Sequence, residues 1–519
     1  MAELSDFSTR GAERQFDGDR SIPLFAATVT AFIGRTQRGP LNESVRVGSF
    51  AEFCRVFGGH SSLSFLSYAV QQYFQHGGKV ALIVRVANRA IRATLELPAD
   101  DQVLYLQARE PGNQCYLRAS VDYDGIGEDP SQFNLVVQRL ARPGSQLVED
   151  QELFQLLSIH EGDKKFIVDI LENSALIQLA RPLPRKRPDA THATHPGQPI
   201  PYVEMKSSGS DGEDLTDYDI IGSDEESTGL FALDAAEQVD LLCIPPAPSG
   251  RDFGITTFLA AERYCEKRKA ILIWDPPSSW TSPEAALINL RESDFASQNA
   301  MTYYPRVRSS EHNGRIQAAI PASGVIAGLF SRHDQSGVWR KLEESDMQLK
   351  VGLSAAESMT DRQVLMLQRN GINTFTRTDR GAFELCGNVS LAGPRVISQL
   401  WRQLDRRRLT LYILGTVERH TSWALARLRD DKLWQSLVHQ VGVFLTELFE
   451  QGALVGRHPS QAFSVKADPA LQRDEAELVL RIGFALETAG EFQVYDIVHR
   501  SDGSATRPAL SLEASQLAG

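Results

Sequence analysis

The amino-acid sequence predicts a multidomain chain in which α/β and α+β regions are combined. Its 519 residues are more than one hydrophobic core normally serves. Buried apolar strands alternate with helices in two regions, which is typical of parallel sheets. Between these regions, strands of alternating polarity follow one another without helices. We therefore expect an α/β body, an inserted β-rich domain and a C-terminal α+β domain.

The first segment of the body is predicted to span residues 21–91 and to follow a loose, polar arm at 1–20. The run 22–35 is apolar throughout, as in a strand that is covered on both faces. Ser49 and Glu52 form a capping-box pattern, which opens a short helix. A second helix and a buried strand at 79–86 follow. This order predicts a crossover unit of a parallel sheet.

The inserted β-rich domain is predicted at residues 92–180. Four runs of alternating polarity lie at 93–97, 102–108, 114–121 and 133–140. Clusters of Gly, Pro, Asn and Asp separate the runs and indicate turns. We therefore expect consecutive antiparallel strands in this domain.

Residues 181–228 lose the apolar periodicity of a folded segment. Four basic residues lie between Arg181 and Pro188, and eight acids without any Lys or Arg lie between Asp211 and Glu226. Blocks of like charge remain hydrated and resist packing. The sequence therefore predicts a charged, flexible loop.

The second segment of the body is predicted at residues 229–393. Strands at 239–245 and 270–274 are separated by a helix near 254–268, and another helix begins at Pro283. Proline is favoured at the first position of a helix because its missing N–H would have no partner there. The βαβα order predicts a second parallel region.

The C-terminal domain is predicted at residues 394–500, before a polar tail at 501–519. Its clearest helix begins at Asp430 or Asp431 and carries an apolar stripe from Leu433 to Phe449. The remaining apolar runs predict strands, which are 409–414, 476–485 and 492–499.

The sequence contains no recognised constellation for catalysis, cofactors or metals. It has neither a phosphate-binding loop nor a G-x-S-x-G elbow, and no run of 18 apolar residues that could cross a membrane. Ser323 and Gly324 are interpreted as a helix start, and His192 and His195 as part of the charged loop. We therefore expect a protein that is not an enzyme, with no catalytic, cofactor-binding or metal residues and no membrane span.

The net charge and the cysteine content indicate which class of partner is disfavoured and in which kind of compartment the protein folds. The formal charge of −12 argues against binding to nucleic acid, which requires clustered basic residues. Five widely spaced cysteines indicate free thiols in a reducing compartment. The basic stretch from Arg402 to Arg408 allows two interpretations, a solvated helix end or a docking face for an acidic partner.

Four stretches of the chain resemble contractile tail sheath proteins of phage tails, tailocins and phage-tail-like injection particles. Residues 31–86 resemble the opening domain of that family, and 320–393 resemble its central stretch. Residues 406–456 resemble its C-terminal domain, and 492–499 its closing strand. Together these stretches occur in the order that the family shows.

The resemblance implies a structural subunit that polymerises helically around an inner tube and contracts to drive the tube through a target membrane. Implied partners are further copies of the chain in stacked six-fold rings, the inner tube protein, the baseplate and the tail-terminator or cap proteins. Assembly in the bacterial cytoplasm is implied, with the particle either released by lysis or retained. The 92–180 and 181–228 segments are implied to face outward.

The resemblance also implies two sets of functional residues. The closing strand is expected to exchange between subunits, through Phe492, Val494, Tyr495, Ile497 and Val498. A second set is expected to face the inner tube, namely Arg402, Arg406, Arg407, Arg408, Glu447 and Gln451. Two alternatives stay open from the residues alone, an α/β hydrolase-like enzyme with an unrecognised site and a non-contractile surface or adaptor protein.

Overall fold

The computed structural model describes residues 21–509, apart from 192–200, 310–318, 394–398 and the single positions 128, 181, 249, 343, 380, 428, 468, 473 and 475. The predicted arm at 1–20, both loop histidines (His192 and His195) and the end of the tail at 510–519 therefore lie outside the described residues. The described chain mixes helices and strands in several sheets, which is consistent with the predicted α+β class.

The body is a six-stranded sheet in the order β13 (Ala300–Met301), β12 (Ile271–Ile273), β11 (Leu241–Cys243), β1 (Val29–Gly34), β3 (Val80–Arg85) and β2 (Ser44–Val47). Its N-terminal elements are β1 (Val29–Gly34), β2 (Ser44–Val47), α1 (Phe50–Phe57), α2 (Leu66–Gln75) and β3 (Val80–Arg85). β1 and β3 are parallel, as predicted, and β2 closes the edge in the antiparallel direction. Ser49 caps α1 by accepting a hydrogen bond from the backbone N–H of Glu52 at 3.1 Å, which confirms that helix start.

Residues 92–180, together with β10 (Val203–Glu204), form two small sheets, β4-β5-β9 and β10-β6-β7-β8, around one apolar core. The elements are β4 (Arg92–Ala99), β5 (Gln102–Pro111), β6 (Tyr116–Asp122), β7 (Gln132–Leu140), β8 (Val148–Ser158), α3 (Ile167–Leu171), β9 (Ile177–Ala180) and the later β10 (Val203–Glu204). The four predicted strands are confirmed as β4–β7. The polar edge strand β8 was not predicted, because most of its residues are exposed and lack the alternation of a half-buried strand.

The expected flexible loop at 181–228 requires correction in its described part. β10 pairs with β6, and isolated bridges join Asn88 to Glu213, Ile91 to Ser210 and Thr94 to Ser207. α4 (Asp217–Ile221) follows, with a capping box at Thr216. The backbone of this segment finds its partners on the insertion and the body, so the segment is ordered without an apolar periodicity of its own.

The second half of the body adds helices to both faces of the sheet. Its elements are β11 (Leu241–Cys243), α5 (Ile255–Arg268), β12 (Ile271–Ile273), α6 (Pro283–Ser293), β13 (Ala300–Met301), β14 (Tyr303–Tyr304), β15 (Val307–Ser309), α7 (Ser323–Asp334), β16 (Leu353–Ala355), α8 (Asp361–Arg369), β17 (Asn373–Arg377) and β18 (Phe383–Cys386). β11 is parallel to both β1 and β12, so the predicted parallel region is confirmed. α1, α2 and α7 cover one face, whereas α5 and α6 cover the other.

The C-terminal part combines two long helices with one antiparallel sheet, in the order β19-β20-β21-β22. Its elements are α9 (Leu404–Thr421), α10 (Asp431–Glu450), α11 (Pro459–Ala462), β19 (Phe463–Lys466), β20 (Leu478–Phe484), β21 (Gln493–Arg500) and β22 (Gly503–Pro508). α10 begins where predicted, because Asp430 accepts a hydrogen bond from the N–H of Leu433 at 2.9 Å. The start of the predicted polar tail forms β22.

The predicted strand at 409–414 is wrong, since these residues belong to α9. Leu404 and Leu411 of this helix pack into the core of the body, whereas Leu409, Ile413 and Val417 pack into the C-terminal core. A helix covered on two sides lacks a polar face, so its sequence reads as a continuous apolar run.

Candidate assembly surfaces and the crevice of the body sheet

The closing strand predicted from the sequence is an interior strand of the C-terminal sheet. β21 pairs with β20 along one edge and with β22 along the other. Tyr495 and Ile497 belong to the C-terminal core, Val498 is buried, and Phe492 and Val494 are half-buried. Both edges of β21 are therefore occupied by strands of the same chain. A role of these five residues in subunit exchange would require a neighbouring strand to leave first.

β22 is attached to β21 mainly through polar groups. The six residues of β22 are half-buried or exposed, and none of them joins the apolar core. The Oγ of Ser504 lies 2.7 Å from Nδ1 of His499, and Thr506 donates to the carboxylate of Glu418 at 2.8 Å. β22 is thus the strand of this sheet that loses least apolar contact on leaving.

Two members of the predicted tube-facing group are interior residues. Arg407 donates to the side chain of Asn299 through Nε and Nη2, at 2.9 and 2.7 Å. Arg408 forms an ion pair with Asp334, and the exposed fractions of Arg407 and Arg408 are 7% and 6%. Their guanidinium groups are used to attach α9 to the body. The interpretation of these two residues as part of an exposed docking face is corrected accordingly.

The remaining members of that group lie nearer the surface. Arg402 is half-buried and donates to the carbonyl of Arg369 at 3.3 Å, and Arg406 is also half-buried. Glu447 and Gln451 are exposed at the C-terminal end of α10. Contact of these four residues with a partner stays a prediction.

The segment before β1 crosses the junction between the body and the C-terminal domain. Ile22 packs into the C-terminal core, and the hydroxyl of Tyr412 donates to the carbonyl of Leu24. Thr28 donates to Asp334 at 2.7 Å, on the same carboxylate oxygen that Arg408 binds. Three parts of the chain therefore meet at one buried carboxylate, and no local sequence pattern predicts this contact.

The crevice at the carboxyl ends of the parallel strands is the place where open α/β sheets bind ligands. Here Asp275, the second residue after the end of β12, accepts a hydrogen bond from the backbone N–H of Ser323 at 2.9 Å. The carboxylate thus occupies the N-terminus of α7, where an anionic ligand would otherwise bind. Burial raises the pKa of Asp275 to about 6, against the lowering effect of hydrogen bonds from Ser323.

Ser323 is fully buried, with an exposed fraction of 0%. A nucleophile must reach its substrate, so this serine is a helix start, as predicted, and it gives no support to a hydrolase. Among the described residues, no three His, Cys, Asp or Glu side chains converge as a metal site would require. No helix in the described part of the chain has the length and apolar character needed to cross a membrane.

No protein-family model matches this chain, and no curated protein matches it either. Solved structures, however, share its fold over nearly its whole length. A sheath tail protein from Listeria innocua superposes with a TM-score of 0.60 at 14% identity, covering 93% of this chain and 96% of its own. One from Desulfitobacterium hafniense gives 0.56 at 11% identity, covering 92% and 97%.

The chain has the fold of sheath tail proteins. A third match, the sheath complex of an extracellular contractile injection system in its contracted state, gives a TM-score of 0.52 at 14% identity over 99% of this chain. The coverage includes the insertion and the C-terminal sheet. The family resemblance seen in the sequence is therefore confirmed at the level of the fold.

Proposed function

We propose that this protein is the structural subunit of a contractile tail sheath, without enzymatic activity. The observation that carries the proposal is the match of the fold to sheath proteins over more than nine-tenths of the chain. The filled crevice at Asp275 and the buried Ser323 support it, because they remove the most plausible site of the hydrolase alternative. The subunit assembles with copies of itself around an inner tube and contracts to drive that tube through a membrane.

The proposal includes the partners and the location of such a particle. The copies form stacked six-fold rings, and the ends of the sheath meet a baseplate and a terminator or cap protein. Assembly takes place in the bacterial cytoplasm, and the particle is released by lysis or retained. The insertion faces outward, and Arg402, Arg406, Glu447 and Gln451 are on the side of the inner tube.

Strand exchange is proposed to use the two edges of the C-terminal sheet. In the described chain these edges are β19, which pairs only with β20, and β22, which pairs only with β21. An edge strand can be replaced by the same strand of a neighbour without loss of main-chain hydrogen bonds. The exchange assigned from sequence to residues 492–498 is thereby moved to β22, with β21 as the strand that receives it.

Negative-stain electron microscopy of the purified full chain tests the function. Sheath subunits are expected to form hollow tubes, whereas a discrete enzyme or adaptor gives single particles. Only monodisperse monomers over a range of salt and protein concentrations would contradict the proposal.

Two truncations separate strand exchange from sheath formation. Removal of residues 503–519 deletes β22 and is expected to prevent or disorder tube formation. Removal of 510–519 alone keeps β22 and serves as the matched control, which is expected to form normal tubes. Normal tubes from the longer truncation would refute exchange through β22 while leaving the sheath proposal intact.

A further inference from the structure

The contact between His499 and β22 is the starting point of this inference. His499 lies near the end of β21 with an exposed fraction of 1%. Its Nε2 lies 2.8 Å from the hydroxyl of Thr421, at the end of α9, and its Nδ1 lies 2.7 Å from the hydroxyl of Ser504 on β22. The imidazole thus connects the last helix turn of α9 with the outermost strand.

The hydrogen-bond directions define the protonation state that fits this site. Thr421 donates its own proton to the carbonyl of Val417 at 2.7 Å, so it accepts from His499. The Nε2 of His499 is then the protonated nitrogen, and Nδ1 accepts from Ser504. A neutral imidazole therefore satisfies both neighbours, and burial lowers the pKa of His499 to about 4.

We propose that His499 makes β22 an acid-released strand, whose departure opens the outer edge of β21 to a strand of another copy. Protonation adds a buried charge and removes the acceptor that Ser504 uses. When β22 leaves, Nδ1 meets water, and the charged form becomes acceptable again. The proton therefore binds preferentially to the open state and shifts the population toward it.

The remaining attachment of β22 is mainly polar. The strand contributes no side chain to the apolar core, so its ladder to β21 and the bond from Thr506 to Glu418 are what remain. Glu418 lies 3.7 Å from Lys269, which offsets its charge. The other charged or titratable groups on the last turn of α9, on β20 to β22 and at the ends of these strands are Arg419, His420, Glu477, Arg481, Tyr495, Asp496, Arg500, Asp502 and Arg507. Of these, Arg500 is paired with Glu477.

The size of the effect follows from the linkage between proton binding and opening. With a pKa of about 4 in the closed state and about 6.5 in the open state, the opening equilibrium rises about 20-fold from pH 7 to pH 5. Release of β22 does not depend on the proposed function, whereas its consequence for assembly rests on that function.

Hydrogen exchange of the full chain, read by mass spectrometry, tests the inference. Protection factors corrected for the intrinsic pH dependence of exchange are compared at pH 7, 6 and 5 for peptides covering 501–509 and 478–484. We expect protection in β22 to fall about 20-fold while that in β20 stays unchanged. Unchanged protection of β22 at pH 5 would overturn the inference.

Variants identify the titrating group. H499Q supplies a neutral donor and acceptor, so its β22 protection is expected not to vary with pH. H420Q changes a half-buried histidine at the same helix end and should behave like the natural chain. E418Q keeps an acceptor for Thr506 and should retain most of the pH dependence. An equal fall in H499Q and the natural chain would overturn the inference.

Folding of the variants and their assembly into tubes are measured separately from the release of β22. Protection of β20 at pH 7 shows whether H499Q retains the C-terminal sheet, and S504A provides a second variant. S504A keeps His499 but removes its partner, so β22 protection is expected to be low already at pH 7. Unaltered protection of β22 in S504A at pH 7 would count against the role of this bond. If tubes never form but release depends on His499, the proposed function fails and this inference stands.

Discussion

Arg408 on α9 donates to the carboxylate of Asp334 at the end of α7, and both side chains are buried. The same carboxylate accepts a hydrogen bond from Thr28 at 2.7 Å. One ion pair therefore connects the C-terminal domain, the body and the segment that precedes β1. The connection anchors α9 between the two cores, because different residues along the helix pack into each of them.

Removal of Arg408 is expected to destabilise the protein strongly. R408M leaves the Asp334 carboxylate buried without its cation, which costs about 3–5 kcal/mol in the free energy of unfolding. The measurement is urea unfolding followed by tryptophan fluorescence. R402M is the control, since Arg402 is half-buried and makes one bond to a carbonyl, and it should cost less than about 1 kcal/mol. Equal effects of the two variants would contradict the assigned role of Arg408.

Arg85 is expected to hold the insertion on the body. Its Nη1 donates to the carbonyl of Gly39 at 2.7 Å, and its Nη2 donates to that of Pro111 at the end of β5 at 2.6 Å. R85M leaves both carbonyls without this donor, at a cost of about 1–3 kcal/mol each. Limited proteolysis should then cleave near residues 88–92 and 111–113 sooner. R46M, at an exposed position of β2, is the control, and equally fast cleavage in both variants would refute the prediction.

Gly324 on α7 permits close contact with α2. A Cβ at this position would lie 2.0 Å from the carbonyl oxygen of Ala69, so G324A must push the two helices apart. We expect a loss of about 1–3 kcal/mol, or more, in the free energy of unfolding. G442A on α10 meets no atom within 4 Å and should instead stabilise the protein by up to about 1 kcal/mol. Thermal unfolding of both variants checks the two opposite signs.

The sequence predicted the elements whose signals are local. Ser49, Pro283 and Asp430 mark helix starts through their own chemistry, and the apolar run at 79–86 is sufficient to indicate a buried strand. α9 was mistaken for a strand because its partners lie on two sides, a fact that only the tertiary structure contains. The order in the 201–228 segment likewise depends on partners far away in sequence, such as Asn88 and Ile91.

The candidate surfaces were less predictable for the same reason. Arg407 and Arg408 look like a basic surface patch in the sequence, since nothing local indicates that Asn299 and Asp334 will neutralise or bind them. The strand at 492–499 was correctly placed, but its interior position depends on β22, which lies in a polar tail without strand periodicity. The burial of these charged groups could therefore not be predicted from the sequence.

Replacement of Asp275 is expected to change how stability depends on pH. Burial raises the pKa of this carboxyl to about 6 in the folded state, above the ordinary value of 3.8. Between pH 4 and 6 the folded state holds a proton that the unfolded state has lost, so stability falls by about 1.4 kcal/mol per pH unit as pH rises. D275N keeps an oxygen for the N–H of Ser323 and should lack this contribution. Urea unfolding at pH 4, 5, 6 and 7 measures the difference, and parallel curves would contradict it.

His76 is expected to contribute the opposite slope. Its Nδ1 lies 2.8 Å from the carbonyl of Gln72, and its Nε2 accepts from the backbone N–H of Lys350 at 3.1 Å, so the neutral form fits. Burial lowers its pKa to about 4, below the ordinary 6.5. The unfolded state therefore binds the extra proton between pH 6.5 and 4, and stability is lost as pH falls, by about 1.4 kcal/mol per unit. H76Q should remove this loss in urea unfolding, whereas H420Q should not.

Because the effects of His76 and Asp275 on stability oppose each other between pH 4 and 6, the double variant H76Q/D275N should regain a pH profile of stability close to that of the natural chain. A profile equal to either single variant would show that one of the two groups does not titrate as assigned.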